Sequence, residues 1–201
     1  MQRLFGRAFR RAGTPVCYSQ GFNPHPVLAF ATALSTGTTS DAEWLDIHLE
    51  RDMPCREFAE ALNAALPSGF RVLVAYDAGE KLPSLTALLA RAEYTIVFEG
   101  ASDEAKLQSA LEALLSGPIV VDKRTKGGVK PTDIRPQVLL AKFGRTDENS
   151  VALRLAGVLN ASGSLNPDVF VKELLGRAGE SADYSIHRDA VFFENGRSVP
   201  I

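Results

Sequence analysis

The chain has 201 residues, a formal net charge of −2 and 45% hydrophobic residues, which is the composition of a globular protein with one large domain or two small ones. This charge balance excludes a globally basic surface, so binding to nucleic acid requires a local basic cluster. No apolar run approaches the roughly 20 residues that cross a bilayer, and no signal peptide is evident. Cys17 and Cys55 match no metal-ligand spacing. Together these observations predict a cytoplasmic protein with reduced thiols.

The first half of the sequence predicts helix, strand, strand, helix and strand. Residues 2–12 place apolar side chains on one face and arginines on another, and Gly13 is a typical helix end. A second helix, with Asp52 as its cap, is predicted to follow the second strand. The three strands are predicted at 27–34, 43–50 and 69–76 from their apolar runs and alternation.

The second half predicts strand, helix, strands, helix and strand. Its helices are predicted to begin at the caps Ser102 and Asn166, and the second of them to end at Gly176. The segment 119–130 is typical of a hairpin with Gly127 and Gly128 at its tip. The remaining strands are predicted at 94–98, 137–143, 151–159 and 184–193.

Both halves follow the βαββαβ order of the ferredoxin-like unit if one strand precedes the first helix. The sequence therefore predicts an α+β fold, a duplicated ferredoxin-like sandwich in which the first strand of the N-terminal half is missing. We expect an N-terminal half at 1–80, a connector at 81–92 and a C-terminal half at 93–201. Because the missing strand lies inside its sheet, we expect that the natural chain is longer at its N-terminus or that a partner supplies the strand.

Two segments carry a family resemblance: LFGRAFRRAGTPVCYSQGFNPHP at 4–26 and FATALSTGTTSDAEWLDIHL at 30–49. They resemble the radical-SAM-linked protein family, bacterial domains found alone or joined to the C-terminal side of B12-binding-type radical SAM proteins. The family has no established activity. The resemblance implies a bacterial cytoplasmic protein and a radical SAM partner that uses SAM and an iron–sulfur cluster. This chain lacks a three-cysteine cluster motif, so we expect it to bind no cofactor itself.

Candidate catalytic groups are sparse. None of the common nucleophile, zinc-protease, P-loop or dinucleotide motifs is present in its required context. Cys17 with His25 is a conceivable nucleophile and base, and Asp46 and His48 share one face of a predicted strand. A metal held by His25, His48 and Asp46 has no supporting spacing. We therefore predict no catalytic and no metal-binding residue, and keep a small metal- or Cys/His-dependent enzyme as an alternative.

Basic clusters are more informative. Arg3, Arg7 and Arg10 form one helical stripe that Arg11 flanks, and a second cluster on the 119–130 hairpin comprises Lys123, Arg124, Lys126 and Lys130. Phosphate contacts from such clusters give salt-dependent nucleic-acid binding. The stiff segment 18–26 adds stacking and hydrogen-bonding groups typical of RNA recognition, which are Tyr18, Gln20, Phe22, Asn23 and His25.

The leading prediction is a non-catalytic RNA-recognition module that serves a radical SAM, RNA-modifying system. The alternative is an interaction module that docks a radical SAM enzyme, for which an exposed Trp44 is the candidate anchor. Asp133 and Arg135, on either side of Ile134, are a further candidate point, with a structural role or a role in a site.

Overall fold

The computed structural model describes residues 1–79, 83–99, 103–125, 127–147 and 150–199, and it has a mixed α+β fold with several sheets. The helices are α1 (Gln2–Ala12), α2 (Cys55–Ala65), α3 (Leu85–Leu88), α4 (Glu104–Leu115) and α5 (Pro167–Ala178). The strands are β1 (Leu28–Phe30), β2 (Thr38–Ser40), β3 (Leu45–Ile47), β4 (Leu89–Glu99), β5 (Val120–Thr125), β6 (Gly128–Asp133), β7 (Val138–Asp147), β8 (Ser150–Asn160), β9 (Gly163–Ser164) and β10 (Asp183–Phe193). No helix within these described ranges is long and apolar enough to span a membrane.

The chain folds into two compact units. Unit 1 contains Met1–Ala31 and Trp44–Pro83, and unit 2 contains Thr32–Glu43 and Ser84–Pro200. The linear division predicted from the sequence did not anticipate that Thr32–Glu43 is part of unit 2. This short segment supplies β2, which pairs in parallel with β10.

Unit 1 is built around the apolar face of α1. Phe9 is 1% exposed and its ring lies 6.4 Å from that of Phe58 on α2, with Val16 and Leu62 in the same core. The helix ends as the sequence predicts, because Gly13 takes the left-handed conformation and its N–H bonds back into the last turn. The cap predicted for α2 is wrong: the helix begins after Pro54 and has no side-chain cap.

The strand predicted at 69–76 does not form. The N–H and C=O of Val72 bond to the side-chain amide of Asn63, at 2.7 and 3.0 Å, instead of to a neighbouring strand. Among the described residues of unit 1, only β1 and β3 form a ladder, an antiparallel pair with Leu28 opposite Ile47. The duplicated ferredoxin-like arrangement is therefore not confirmed. Alternation of apolar residues predicts a strand, but a strand also needs a partner with free backbone groups.

Unit 2 is organised by a sheet with the order β2-β10-β4-β8-β7, in which all neighbours except β2 and β10 are antiparallel. The helices α4 and α5 follow β4 and β8 along the chain and pack against each other. From Ala92 to Phe98 the even-numbered residues of β4, among them Tyr94 and Ile96, are buried, whereas the odd-numbered residues between them are half-buried. The hairpin predicted from the sequence forms as β5–β6, a separate two-stranded sheet, but Gly128, predicted at the tip, lies in the ladder opposite Thr125.

The ends of the unit 2 helices show how local sequence acts. Asn166 caps α5 as predicted, since its Oδ1 accepts the N–H of Asp168 at 3.0 Å. Gly176 does not end this helix, which continues to a left-handed Gly179. Asp103 caps α4 through the N–H groups of Ala105 and Lys106, and the predicted cap Ser102 lies outside the described residues.

Two glycines of unit 2 give opposite predictions when replaced by alanine. At Gly157 on β8, a Cβ would lie 2.5 Å from Cδ2 and 2.6 Å from Cβ of Leu165. We expect Gly157→Ala to lower the free energy of unfolding by about 1–3 kcal/mol because Leu165 must move. A Cβ at Gly176 meets nothing within 4 Å, so Gly176→Ala should raise stability by about 0.5–1 kcal/mol. Urea unfolding monitored by circular dichroism measures both, and equal stabilities would contradict the packing described.

Candidate nucleic-acid interface

An arginine stripe covers the exposed face of α1. It consists of Arg3, Arg7, Arg10 and Arg11, all of them exposed. The opposite face carries the buried Ala8 and Phe9. Arg10 Nε donates to the carbonyl oxygen of Gly6 at 3.2 Å, which holds this guanidinium along the helix surface. The helix thus separates cations from core side chains, as its sequence period predicts.

The segment 18–26 forms a closed loop with a free tip. Its foot is held by a bridge between Tyr18 and Pro26, and by two bonds between Ser19 and His25: Ser19 N–H to His25 C=O at 2.8 Å, and His25 N–H to Ser19 Oγ at 3.0 Å. Residues 20–25 are all exposed, and Phe22 is 108% exposed. The structure therefore brings Gln20, Phe22, Asn23 and His25 together at one tip, while Tyr18 is half-buried at the foot.

The loop and the arginine stripe are adjacent in unit 1. A Cβ added to Gly6 would lie 3.4 Å from Cγ of Pro26, so the foot of the loop packs directly on α1. Successive residues of a helix are about 100° apart. Gly6 is therefore about 40° from Arg10 and 60° from Arg3 around the helix axis. The contact places the loop beside the stripe, on the boundary between the buried face and the basic face.

The predicted Cys/His and Asp/His candidates do not form a metal-ligand group in the described part of the chain. The N–H of Cys17 donates to the backbone carbonyl of His48 at 2.8 Å, which is a contact between main chains. Asp46 and His48 alternate with Leu45 and Ile47, which pack on the unit 1 core, so they share the opposite face of β3. No group of three or more His, Cys, Asp or Glu residues with metal-ligand geometry occurs among the described residues.

The second basic cluster lies on the β5–β6 hairpin of unit 2. Lys123 and Lys130 are directly opposite each other, with Arg124 next along β5, and all three are exposed. Lys126 lies outside the described residues. Like charges opposite each other destabilise a ladder.

Asp133 and Arg135 make contacts within unit 2. Asp133 Oδ1 accepts the N–H groups of Ile119 and Arg135 at 2.8 and 2.9 Å. The Arg135 guanidinium donates to the carbonyl oxygens of Leu115 and Val138. These bonds tie the end of α4 and the start of β5 to the turn before β7.

Trp44 is half-buried, and its ring stacks on Tyr76 with a centroid distance of 6.0 Å and an interplanar angle of 18°. Tyr76 belongs to the unpaired segment 69–79, which exposes large apolar side chains. They are Phe70, Leu73, Val74 and Tyr76, with Leu73 66% exposed. The apolar surface of unit 1 is therefore wider than the single tryptophan that the sequence indicated.

A polar cluster in unit 2 was missed by sequence reasoning. Tyr184 donates to Asp168 Oδ1 at 2.7 Å, and Lys172 Nζ lies 2.7 Å from Asp168 Oδ2. A cavity of about 320 Å³ adjoins them, also lined by Thr36, Gly37 and Thr38. Asp168 and Lys172 are four apart on a helix, a spacing visible in the sequence, but only the fold brings Tyr184 to them.

The cluster has shifted pKa values. Burial and the bond to the Asp168 carboxylate raise the pKa of Tyr184 to about 12. Partial burial alone would raise the pKa of Asp168, but the hydrogen bonds from Lys172 and Tyr184 outweigh it and lower that pKa. A tyrosine held protonated in this way is a hydrogen-bond donor at neutral pH and is not a base.

Comparisons with known proteins give a family and a weak structural likeness. The family model described as "Uncharacterized protein conserved in bacteria (DUF2344)" matches residues 1–167. A search of the curated proteins finds no match. Among solved structures, a chain of the "Crystal Structure of a Cbf5-Nop10-Gar1 Complex" is 17% identical with a TM-score of 0.40. The likeness covers 53% of this chain and 32% of that chain, less than two thirds of its length.

The bond between Tyr184 and Asp168 predicts an alkaline titration. We expect Asp168→Asn to lower the pKa of Tyr184 from about 12, while burial, its largest cause, keeps it above 10. Because the pKa of Tyr184 is raised in the folded state, the protonated phenol stabilises the fold fully below the pKa of an unfolded tyrosine, about 10, and this contribution is lost as pH rises toward about 12. Tyrosinate absorbance measures the shift, with Tyr184→Phe identifying the signal. An unchanged titration in Asp168→Asn would show that the carboxylate does not act on this phenol.

Proposed function

The chain belongs to a bacterial family of uncharacterized proteins, and from the geometry of unit 1 we propose that it is a non-catalytic RNA-recognition module. The observation that carries the proposal is the fully exposed Phe22 at the tip of a loop whose foot packs on α1 beside the arginine stripe. An exposed phenyl ring contributes nothing to the core, whereas it offers a face on which a base stacks.

The arginine stripe supplies the electrostatic part of this recognition. Its four guanidinium groups lie within one helix of a chain whose net charge is −2, so the positive charge is local. Guanidinium groups bind phosphate oxygens through two parallel hydrogen bonds. Gln20, Asn23 and His25, exposed on the same loop as Phe22, offer hydrogen bonds to base edges. We favour RNA over DNA because unpaired RNA presents unstacked bases to such a loop.

The proposal extends to the system that the module serves. The resemblance of residues 4–26 to the radical-SAM-linked family supports a radical SAM, RNA-modifying partner that uses SAM and an iron–sulfur cluster. This chain then presents RNA and holds no cofactor of its own.

The order β10-β4-β8-β7, with a helix in each crossover, also supports a ferredoxin-like assignment for unit 2.

The test is RNA binding by the wild type and by Arg3→Ala/Arg7→Ala/Arg10→Ala/Arg11→Ala, the stripe variant. Bulk bacterial tRNA and a single-stranded 12-nucleotide RNA are titrated at several salt concentrations. We expect micromolar or tighter binding at low salt, and in the stripe variant a salt slope smaller by about 0.7 for each phosphate that no longer meets an arginine. Phe22→Ala should weaken binding by about 5- to 150-fold, the value of about 1–3 kcal/mol of stacking.

The controls separate binding from folding. Arg51→Ala/Arg56→Ala removes two exposed arginines from another part of unit 1 and should leave affinity nearly unchanged. The free energy of unfolding of Phe22→Ala should lie within about 0.5 kcal/mol of the wild-type value because no buried surface is removed. Phe22→Trp, which keeps an aromatic ring at this position, should bind RNA like the wild type. Loss of stability by several kcal/mol in Phe22→Ala would make the loop structural. Absence of RNA binding at low salt would contradict the proposal.

A second candidate function is protein docking through the apolar surface of segment 69–79. Four large exposed side chains beside the Trp44–Tyr76 stack favour it. We expect Leu73→Ser/Val74→Ser to abolish co-elution with a purified B12-binding-type radical SAM protein from the same genome and to leave RNA binding intact. Leu139→Ser/Leu140→Ser, which changes exposed leucines of unit 2, is the matched control. Co-elution that survives Leu73→Ser/Val74→Ser would reject this surface.

A further inference from the structure

One row of polar side chains crosses the whole unit 2 sheet. The strand registers place Thr39 opposite His187, His187 opposite Thr95, Thr95 opposite Arg154, and Arg154 opposite Lys142. The row therefore runs through β2, β10, β4, β8 and β7, with one residue from each strand. Neighbouring strands are about 4.8 Å apart, so the row spans about 19 Å.

The row lies on the face of the sheet that is turned away from the buried core. Thr95 alternates with the buried Tyr94 and Ile96, and Arg154 alternates with the buried Leu153 and Leu155. Because successive side chains of a strand point to opposite faces, the row is on the other side. Lys142, Arg154 and Thr39 are exposed, and Thr95 and His187 are half-buried.

One end of the row is cationic. Lys142 and Arg154 are a direct cross-strand pair, with Cβ atoms about 5 Å apart for such neighbours. Neither forms an ion pair with a carboxylate in the described ranges. Two like charges in this arrangement repel each other, and an anion bound between them removes the cost.

The other end carries carboxylates that are already oriented. Thr95 Oγ1 donates to Asp189 Oδ2 at 2.8 Å. The His187 ring contacts Thr39 Oγ1 through Nδ1 at 2.8 Å, and its Nε2 lies 3.4 Å from Asp41 Oδ2. This end therefore offers acceptors for hydroxyl and amino groups, at about two strand spacings, or roughly 10 Å, from the cations.

The residues that flank the row on the same face vary in size. On one side they are Leu140, Ala156, Glu93 and Ala190, and on the other side Gly144, Ala152, Val97 and Ser185. Gly144 and Ser185 are exposed beside Lys142 and His187, which leaves room for a ligand at these two positions.

We propose that this row is a binding surface for single-stranded RNA on unit 2, an inference that takes its class of ligand from the proposed function. Lys142 and Arg154 bind a phosphate of the chain. Thr95, His187 and Asp189 face the adjoining nucleoside, where the Asp189 carboxylate accepts the ribose 2′-hydroxyl. The row has cations at one end and carboxylates at the other, so a nucleotide chain that lies along it offers phosphates to the first end and ribose hydroxyls to the second.

The test compares full-length wild type with Lys142→Ala/Arg154→Ala by fluorescence anisotropy of a labelled 12-nucleotide single-stranded RNA. We expect binding about tenfold weaker and a salt slope reduced in magnitude by about 1.4, from two cation–phosphate pairs at about 0.7 each. Lys106→Ala/Lys172→Ala is the matched control, since it removes two exposed lysines from α4 and α5 of the same unit. It should change affinity less than twofold. Both double variants should keep the far-UV spectrum of the wild type.

The outcomes separate this inference from the proposed function. Wild-type affinity and slope in Lys142→Ala/Arg154→Ala would overturn the inference, even where the stripe variant loses binding and the proposed function stands. Weakened binding in Lys142→Ala/Arg154→Ala supports the inference. If the stripe variant binds RNA normally in the same experiment, the proposed RNA site on unit 1 is contradicted, while the surface on unit 2 is supported. DNA of the same sequence that binds equally well, or uridine 5′-monophosphate that competes as effectively per nucleotide, would overturn the assignment to RNA.

Discussion

The ion pair between the buried Arg188 and Glu43 is the interaction on which the architecture of unit 2 depends. Arg188 is 4% exposed, pairs with Glu43 at 2.7 Å and lies 5.5 Å from the ring of Tyr94. A charge removed from water must be paired, so Glu43 cannot leave without a large cost. This pair and the bond from Arg188 Nη2 to the carbonyl of Ala33 hold both ends of segment 32–43 in unit 2. Because β2 lies between Ala33 and Glu43, the same two contacts of Arg188 also fix the position of β2 and of Thr39 at the end of the polar row.

The two proposed RNA surfaces use the same chemistry on different supports. In unit 1 a helix carries the cations and a loop carries the stacking group, and the close contact of Gly6 with Pro26 joins them. In unit 2 a sheet carries both the cations and the hydrogen-bonding groups, and the strand register joins them. A helix surface and a sheet face each fix the spacing of their side chains, so both supports present cations without folding around the ligand.

Local signals in the sequence predicted several features of single helices correctly, although the Asp52 cap predicted for α2 was wrong. The period of α1, the left-handed Gly13 and the Asn166 cap were predicted from residue types and are present. Predictions that need a distant partner were less reliable. The segment 69–76 alternates like a strand, yet Asn63 takes the backbone groups of Val72. Gly176 was predicted to end a helix, but α5 continues past it to the left-handed Gly179.

The sequence by itself determined the mixed α+β class, the basic face of α1 and the stiff loop that carries Phe22, because these follow from local period, charge spacing and proline geometry. Tertiary structure alone decided which side chains meet. Tyr184 reaches Asp168 across 16 residues, and Thr39 reaches His187 across 148. Such pairings depend on strand order and register, which are set by burial of the whole sheet face and leave no signature in a short stretch of sequence.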